Sequence, residues 1–327
     1  MADPLASLGT SPELFPLWLD LAGDQVRFLR LSEADYQKAS FLDARLEAPL
    51  VGDFPYAAVA AAVAGAPIAC DYIFHIGHVG STLLSRLLGS HRGVFAVREP
   101  QVLRLFAQAE VAARPWAEAE MDARLRVFQA LFSRVWRGEQ KAMVKATSMV
   151  SGLAPRLMAQ SAGAKALCMT APLPSYLAIM LSGQNFSDVR QSAALRLARL
   201  ARRLGMEPAA FGKLSPGEAI AMSWASDMAA LREVEQRFPG QLMWLDFDDV
   251  LADRRASLSA ILTWLNGGVE AGQVERIAAS EHFGRYSKAP EYAYGPELRR
   301  QVLDESRRHN AAEIERGLAW FERLAPL

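Results

Sequence analysis

From residue 71 onward, short apolar segments alternate with longer segments of helical periodicity, and this alternation restricts the fold more than any other feature of the chain. Short apolar runs that end at turn or charged residues are typical of buried strands. They occur at residues 72–76, 94–97, 142–145, 164–169 and 242–247. Strands that are joined by crossover helices form a mostly parallel sheet with both faces covered. The sequence therefore predicts a three-layer α/β fold with a mostly parallel central sheet, helical insertions and a C-terminal helix.

The predicted helices lie between these strands. Helical periodicity covers residues 81–88, 102–137, 152–160, 187–204 and 257–265, and one amphipathic helix is predicted over residues 296–324. Ser187 is predicted to cap the helix at 187–204, and Gly205 is predicted to end it. Residues 1–70 contain one predicted strand at 25–31 and helical patterning at 33–46. They are predicted to be a lead-in that packs on a single globular unit, residues 71–327.

Charge and cysteine content argue against several classes of protein. The chain carries 36 basic and 36 acidic side chains, so electrostatic binding to nucleic acid or to an anionic membrane is not expected. Its two cysteines, Cys70 and Cys168, are too few for a disulfide framework or a zinc site. The first residues lack the pattern of a secretory signal, and the most apolar stretch, residues 56–70, is too short to span a bilayer. We therefore expect a cytoplasmic protein, and the sequence does not indicate its oligomeric state.

The segment after the first strand of the predicted sheet contains two glycines and two hydroxyl residues before an amphipathic helix. Gly77 and Gly80 allow backbone N–H groups to converge, and the positive end of the helix dipole lies at the same point. Ser81 and Thr82 add hydroxyl donors, so the segment is typical of a phosphate-binding loop. A Walker A loop has Lys directly before the hydroxyl residue, whereas Gly80 precedes Ser81 here, which argues against an ATP site with magnesium. The alternative is a tight turn in which Ser81 caps the helix.

Residues 77–84, with the sequence GHVGSTLL, resemble the 5′-phosphosulfate loop of the sulfotransferase superfamily, although His78 stands where that family usually has Arg or Lys. Three further segments resemble the family in the same order: VREP at 97–100, MVKA at 143–146 and LDFDDVLAD at 245–253. In motif layout the chain is most similar to the tyrosylprotein sulfotransferase-like bacterial branch. The resemblance covers about residues 71–266 and implies a P-loop NTPase-like fold.

The resemblance also implies an activity. Such an enzyme transfers a sulfuryl group from 3′-phosphoadenosine 5′-phosphosulfate (PAPS) to a hydroxyl or amine of a small-molecule or peptide acceptor. PAPS is the donor, 3′-phosphoadenosine 5′-phosphate (PAP) is the product, and no metal is required. We see no metal-ligand spacing among the five histidines. The sequence contains no motif that identifies the acceptor.

Single residues acquire roles through the resemblance. Glu99 corresponds to the general base of the tyrosylprotein branch, Lys145 to a lysine that contacts the transferring group, and His78 to the cation beside the leaving phosphate. Donor contacts are implied for Gly77, His78, Val79, Gly80, Ser81, Thr82 and Leu83. Each catalytic role has a structural alternative. Glu99 could pair with Arg98 or Arg104. Lys145 could pack its stem and reach solvent with its ammonium group, and His78 could simply fit a turn.

The chain departs from the family where that family binds the 3′-phosphate of the donor. Thr170 stands at the position of the usual Arg, and Ala178 at that of the usual Ser. Loss of a charge-assisted hydrogen bond costs roughly 1.5–3 kcal/mol. Ser175 is the nearest hydroxyl replacement, and a loop that contains Arg285 and Lys288 is the predicted basic replacement. A solvated basic face is predicted instead for three arginines that share one side of a helix: Arg196, Arg199 and Arg203.

Three alternatives to a PAPS-dependent enzyme stay open. Without Arg at position 170, the chain could use an adenosine nucleotide that lacks the 3′-phosphate. It could also bind no donor and act as an accessory protein. The third alternative is a kinase-like protein, because Asp246 and Asp248 follow an apolar strand as in a Walker B motif that holds magnesium. The absence of a lysine in the glycine-containing loop argues against this last reading.

Overall fold

The computed structural model describes residues 5–111, 116–266, 272–284 and 295–324. In these residues the strands form two sheets. The N-terminal sheet is antiparallel and consists of β1 (Leu14–Asp20), β2 (Gln25–Arg30) and β3 (Leu50–Pro55). The larger sheet consists of β4 (Cys70–His75), β5 (Val94–Arg98), β6 (Lys141–Lys145), β7 (Ala166–Thr170) and β8 (Leu242–Asp246). All of its strands are parallel, in the spatial order β5-β6-β4-β7-β8.

The parallel sheet confirms the predicted α/β fold. Every residue of β4 and of β5 is buried, as expected for strands that are covered on both faces. Each strand predicted for this sheet is present within two residues of its predicted bounds. Because the strands are parallel, their carboxyl ends meet at one edge of the sheet, which is where ligands bind in such folds.

Helices connect the strands and cover the sheet. In chain order they are α1 (Glu33–Lys38), α2 (Tyr56–Ala62), α3 (Ser81–Gly89), α4 (Val102–Ala109), α5 (Glu118–Phe132), α6 (Ala154–Gln160), α7 (Leu173–Leu181), α8 (Phe186–Leu204), α9 (Pro216–Arg237), α10 (Phe247–Ala252), α11 (Arg254–Asn266), α12 (Gln273–Ala278), α13 (Pro296–His309) and α14 (Ala311–Arg323). Short 3₁₀ helices cover Ser148–Leu153, Pro208–Phe211 and Glu281–Gly284. In the described part of the chain, none of the helices is both long and apolar enough to cross a membrane.

Helix α9 was not among the predicted helices, although it packs on α6, α7, α8 and α14. Its start carries a capping box: the Ser215 hydroxyl accepts from the Glu218 N–H, and the Glu218 carboxylate accepts from the Ser215 N–H. The motif Ser-Pro-x-Glu is readable in the sequence as a helix start. Many of its side chains are buried, so its hydrophobic periodicity is weak, and periodicity alone does not reveal it.

Two predicted helices are each divided in the structure. The segment predicted as helical over 102–137 contains α4 and α5, and Pro115 precedes the start of α5, where proline disfavours a continuous helix. The C-terminal helix predicted over 296–324 is α13 followed by α14, with Asn310 between them at φ −109° and ψ 18°. Ser187 is not a cap, since α8 begins one residue earlier, but Gly205 ends that helix in the left-handed conformation as predicted.

The N-terminal region contains a sheet where the sequence predicted one strand. Strands β1 and β3 flank the predicted β2, and α1 ends at Lys38 rather than at residue 46. Arg98, at the end of β5, ties this region to the parallel sheet. Its Nη1 donates to the carbonyl oxygens of Tyr36 at 2.6 Å and Ala39 at 2.8 Å. The chain after α1 is therefore held beside the carboxyl end of β5.

Candidate functional site

A cleft of about 810 Å³ lies at the carboxyl edge of the parallel sheet. Its floor is formed by residues at or just after the ends of β4, β5 and β6, among them Ser81, Glu99 and Lys145. Among the described residues, its lining contains five cationic side chains, Arg45, Arg104, Lys145, Arg196 and Arg299, and three carboxylates, Asp43, Glu99 and Asp188. Two of these cations pair with carboxylates outside the lining, Arg196 with Asp227 and Arg299 with Asp248, so the cleft combines many charged groups of both signs.

Residues 77–82, called the glycine loop below, form the centre of the cleft. Gly77, His78 and Gly80 have positive φ angles of 100°, 55° and 73°. Gly80 is the N-cap of α3 and gives that helix no side-chain cap. Capping of the first-turn N–H groups therefore falls to water or to a ligand, and an anion is favoured there. Ser81 is the first residue of the helix rather than its cap, which rules out the tight-turn alternative in its predicted form.

The backbone at Gly80 is also in close contact with the far side of the sheet. A Cβ atom at this position would lie 2.2 Å from ring atoms of Phe247, the first residue of α10. Gly80 is therefore required both by its φ angle and by the lack of space. This contact places the chain after β8 against the glycine loop.

Buried hydrogen bonds fix the strand end from which the glycine loop starts. The Tyr176 hydroxyl donates to the Ile76 carbonyl at 2.6 Å, and the Ser151 hydroxyl donates to the His75 carbonyl at 2.9 Å. The Gly77 N–H donates to Nδ1 of His75 at 3.1 Å. Burial raises the pKa of Tyr176, so its hydroxyl remains a donor. The loop is thus held in place before any ligand binds.

His78 lies in the wall of the cleft and contacts helix α8. Its Nε2 is 2.8 Å from Oδ2 of Asp188, which belongs to the first turn of that helix. The carboxylate can accept a hydrogen bond from a protonated imidazole. His78 is the neighbour of Gly77 in the loop, so a positive charge on its ring would lie beside the anion site.

Glu99 and Lys145 form a buried ion pair on the floor of the cleft. The second carboxylate oxygen of Glu99 is 3.2 Å from Nη2 of Arg104, and Nε2 of His75 is 3.9 Å from the first oxygen. Lys145 is fully buried, which contradicts the alternative that its ammonium reaches solvent. The predicted pairing of Glu99 with Arg104 is present, whereas Arg98 donates to backbone carbonyls of the N-terminal region instead.

The backbone of Glu99 is strained. Its φ angle is 49°, and its N–H donates to the carbonyl of Lys145 at 2.6 Å. In the described residues, the non-glycine positions with positive φ are Asp24, His78 and Glu99, and the last two line the cleft. Such conformations cost of order 1–3 kcal/mol and are concentrated at functional sites.

The pair continues outward as a series of contacts, called the ion-pair chain below. In order, its members are Lys145, Glu99, Arg104, Asp43 and Arg45. Nη2 of Arg104 is 3.6 Å from Oδ2 of Asp43, and the same oxygen is 2.5 Å from Nη2 of Arg45. Burial alone would raise the pKa of Asp43, but its hydrogen bonds from Arg45 and its attraction to Arg45 and Arg104 outweigh this and lower it. No sequence motif indicated Asp43 or Arg45. The ion-pair chain brings together segments that are far apart in the sequence, so a local motif does not reveal it.

Some residues predicted to bind the donor do not line the cleft. Ser175 is not in its lining, and neither are Thr170 and Ala178, which stand where the family usually has Arg and Ser. Helix α7 presents Tyr176, Ile179 and Met180 to it instead. Val79 is fully buried in the core and does not line the cleft. Arg285 and Lys288 lie outside the described residues.

The predicted solvated basic face of α8 is wrong for two of its three arginines. Arg196 is buried and lies 2.9 Å from Asp227 of α9. Nε of Arg199 is 2.8 Å from Glu110, and its Nη1 donates to the carbonyl of Met149 at 2.6 Å. This face of α8 is covered because α8 packs on α9 and on the 3₁₀ helix Ser148–Leu153. The third, Arg203, is partly exposed and pairs with Glu233.

Arg299 of α13 is a lining residue that the sequence analysis did not identify. Its side chain is almost buried, its Nε donates to Asp248 at 2.9 Å, and its guanidinium lies 5.1 Å from the ring centre of Phe247. A signal was available, because Arg299, Leu303 and Ser306 lie on one helix face and are buried together. An arginine on the buried face of an amphipathic helix is unusual.

The acidic residues after β8 act as structural groups. The Asp246 carboxylate caps α10 by accepting from the Asp248 N–H at 2.8 Å, and burial raises its pKa. Asp248 orients Arg299. Within the described ranges no group of three or more possible metal ligands is present.

Similarity to known proteins is found among solved structures, at low sequence identity. No family model and no curated protein matches the chain. Among solved structures, the sulfotransferase domain from the curacin biosynthetic pathway is 14% identical over 75% of this chain and 97% of its own, with a TM-score of 0.41. The sulfotransferase domain from the Synechococcus PCC 7002 olefin synthase is 13% identical over 80% and 96%, with a TM-score of 0.44. A sulfotransferase from Alicyclobacillus acidocaldarius is 16% identical over 78% and 96%, with a TM-score of 0.39.

Proposed function

We propose that this protein is a sulfotransferase-like enzyme that transfers a sulfuryl group from PAPS to a hydroxyl or amine acceptor. One observation carries the proposal: the uncapped N-terminus of α3 and the buried pair of Glu99 with Lys145 lie in the same cleft, at the ends of adjacent strands. The sequence resemblance of residues 77–84 points to the same chemistry. The lining also offers cationic side chains, among them Arg104 and Arg299, that can meet an anionic donor.

The glycine loop fits the 5′-phosphosulfate part of such a donor. Backbone N–H groups, the α3 dipole and the Ser81 and Thr82 hydroxyls can all contact its oxygens. His78, when protonated beside Asp188, adds a positive charge. Arg299 lines the cleft and pairs with Asp248 in the chain after β8, and we assign to it the 3′-phosphate of the donor.

When bound, PAPS supplies a sulfuryl group whose bond to the phosphate oxygen breaks as a bond to the acceptor oxygen or nitrogen forms. The loop N–H groups and His78 stabilise the negative charge that develops on the phosphate. Glu99 takes the proton of the acceptor, and Arg104 holds its carboxylate in place. Lys145, which pairs with Glu99 on the floor of the cleft, is assigned to the transferring group.

A second candidate is a transferase with the same fold that uses an adenosine donor without the 3′-phosphate. It is favoured by Thr170 and Ala178, which replace the Arg and Ser usual in the family, and by the absence of Ser175 from the cleft lining. The two candidates differ only in donor, so binding measurements separate them.

Calorimetric titration of the protein with PAP tests the proposal, with adenosine 5′-phosphosulfate and ATP–magnesium titrated in parallel. Micromolar binding of PAP is the expected result. Binding of adenosine 5′-phosphosulfate without PAP favours the second candidate. A protein that binds only ATP–magnesium, or none of the three, contradicts both.

The Glu99→Gln variant tests the proposed base. We expect turnover to fall by about 10²- to 10⁴-fold, the range for loss of a general base, while PAP binds as before. The matched control is Glu110→Gln, which removes another carboxylate that pairs with an arginine, Arg199, outside the cleft lining. Full turnover by Glu99→Gln would remove Glu99 from the mechanism.

A further inference from the structure

Part of the cleft lining comes from the N-terminal region and from α4 with the residue before it: Trp18, Phe41, Gln101 and Leu105. These residues, together with the ion-pair chain, are called the outer arm below. The floor of this arm is the ion-pair chain. A ligand in it would meet Glu99 at its inner end and Arg45 at its outer end.

The charges of this arm do not balance. Along the ion-pair chain, the cations Lys145, Arg104 and Arg45 alternate with only two carboxylates. Transfer of a proton to Glu99 would remove one of the two negative charges. Positive charge in a cleft with apolar walls attracts anions more strongly than the same charge in open water. An acceptor with an anionic group would restore the balance.

Arg45 is the member of the chain that solvent reaches. Its side chain is 62% exposed, its guanidinium lies 4.0 Å from the ring centre of Phe41, and Asp43 holds its Nε and Nη2 at 2.8 and 2.5 Å. Its Nη1 has no protein acceptor among the residues that the structure describes. The planar group is thus oriented in advance, which favours a carboxylate.

The position of Arg45 depends on backbone pairing with β5. The Leu42 N–H donates to the Arg98 carbonyl at 2.7 Å, and the Gln101 N–H donates to the Leu42 carbonyl at 3.0 Å. The Gln101 side chain accepts from the Ala44 N–H at 2.6 Å. The segment that carries Asp43 and Arg45 is therefore built into the edge of the cleft rather than lying loosely over it.

We propose that the acceptor is a small molecule that bears a carboxylate as well as the reacting hydroxyl or amine, and that Arg45 and Arg104 bind this carboxylate. The inference rests on the proposed function, since it names the substrate class for the same cleft. Phe41 and Trp18 contact the apolar body between the two groups. A cleft of about 810 Å³ is within the usual range for small-molecule sites.

Two matched probe pairs test this substrate class. Para-hydroxyphenylacetate is compared with its amide, and meta-hydroxybenzoate with its amide, by calorimetric titration into the wild-type protein with and without saturating PAP. We expect at least one acid to bind about tenfold more tightly than its amide, the effect of about one charge-assisted hydrogen bond. The preference should decrease as salt is added.

Arg45→Gln is expected to abolish the preference for the acid. The matched control is Arg27→Gln: Arg27 also holds an aspartate, Asp53, through Nε and Nη2 at 2.8 Å each, but it does not line the cleft. Retention of the preference by Arg45→Gln would overturn the proposal, as would its equal loss in Arg27→Gln.

The remaining outcomes separate this inference from the proposed function. Equal binding of acids and amides, or no binding of any acid, overturns the carboxylate-bearing acceptor even if PAP binds. A preference for acids without any binding of PAP supports the carboxylate site and contradicts PAPS as donor. Binding of an acidic tyrosine peptide, with none of the small acids, overturns the small-molecule class.

Discussion

The glycine loop and the ion-pair chain lie in one cleft but are built in different ways. The loop is continuous in sequence, and its ligand groups belong mainly to the backbone of residues 77–82. The ion-pair chain joins Asp43, Glu99 and Lys145 from three separate segments, and its groups are side chains. Backbone groups in a local turn can be recognised from residue types, whereas a set of side chains from distant segments depends on how those segments pack.

Removal of one member from the buried end of the ion-pair chain should have the largest effect on stability. Lys145→Met leaves the Glu99 carboxylate without its buried partner, and we expect the free energy of unfolding to fall by about 3–5 kcal/mol. The double variant Lys145→Met with Glu99→Leu removes both charges and should recover most of that loss. Urea denaturation of the three proteins measures it. A double variant as unstable as Lys145→Met would show that the two charges are not coupled.

In the glycine loop, added side-chain volume rather than lost charge should lower the free energy of unfolding. Gly80→Ala introduces a Cβ 2.2 Å from Phe247 at a φ of 73°, and we expect a loss of about 2–4 kcal/mol from overpacking and backbone strain together. Gly205→Ala is the control, because its φ is 65° but no atom lies within 4 Å of the added Cβ. It should cost about 1–2 kcal/mol. Equal losses in urea denaturation would mean that the contact with Phe247 relaxes without cost.

Substitution of Arg299 tests whether the side of the cleft near β8 binds the 3′-phosphate of the nucleotide. Arg299→Gln should weaken PAP binding by about tenfold and leave AMP, which lacks the 3′-phosphate, nearly unaffected. Arg300→Gln, which changes an exposed arginine one residue further along α13, is the control. Calorimetry with both nucleotides distinguishes the possibilities. Equal weakening of PAP and AMP would indicate that Arg299 only supports Phe247.

Loss of the Asp43 charge, at the outer end of the ion-pair chain, should have the smallest effect on the free energy of unfolding. This effect should depend on pH. The lowered pKa of Asp43 means that the folded state favours its charged form. Its contribution to stability is therefore complete above its ordinary pKa of 3.8 and is lost as pH falls through the lower folded value. Since the pair is partly exposed, we expect about 1 kcal/mol at most.

Urea denaturation from about pH 6 to about pH 2 measures the contribution of Asp43. Asp43→Asn should be slightly less stable than the wild type at the upper end of this range, and the two proteins should converge at the lower end. A difference that stays constant over the whole range would mean that Asp43 acts through packing rather than through its charge.

Much of the fold could be predicted from the sequence. The strands of the parallel sheet were located from apolar runs, and the loop at residues 77–82 from its glycines and hydroxyls. The N-terminal sheet was not predicted beyond β2, because Leu50 and other residues of β3 are exposed and carry little hydrophobic pattern. The buried arginines of α8 were interpreted as a solvated face, since periodicity shows which residues share a face but not what covers it.

The sequence alone determined the strands of the parallel sheet and the position of the glycine loop at the end of β4. Both depend on local chemistry: apolar runs form buried strands, and glycine adopts the positive φ that Gly80 requires. Tertiary structure alone decided that Glu99 pairs with Lys145, that Arg299 reaches the cleft, and that Arg45 closes the outer arm. These are contacts between segments that are distant in the chain, and their geometry is set by the packing of the sheet and its helices rather than by the residues next to them.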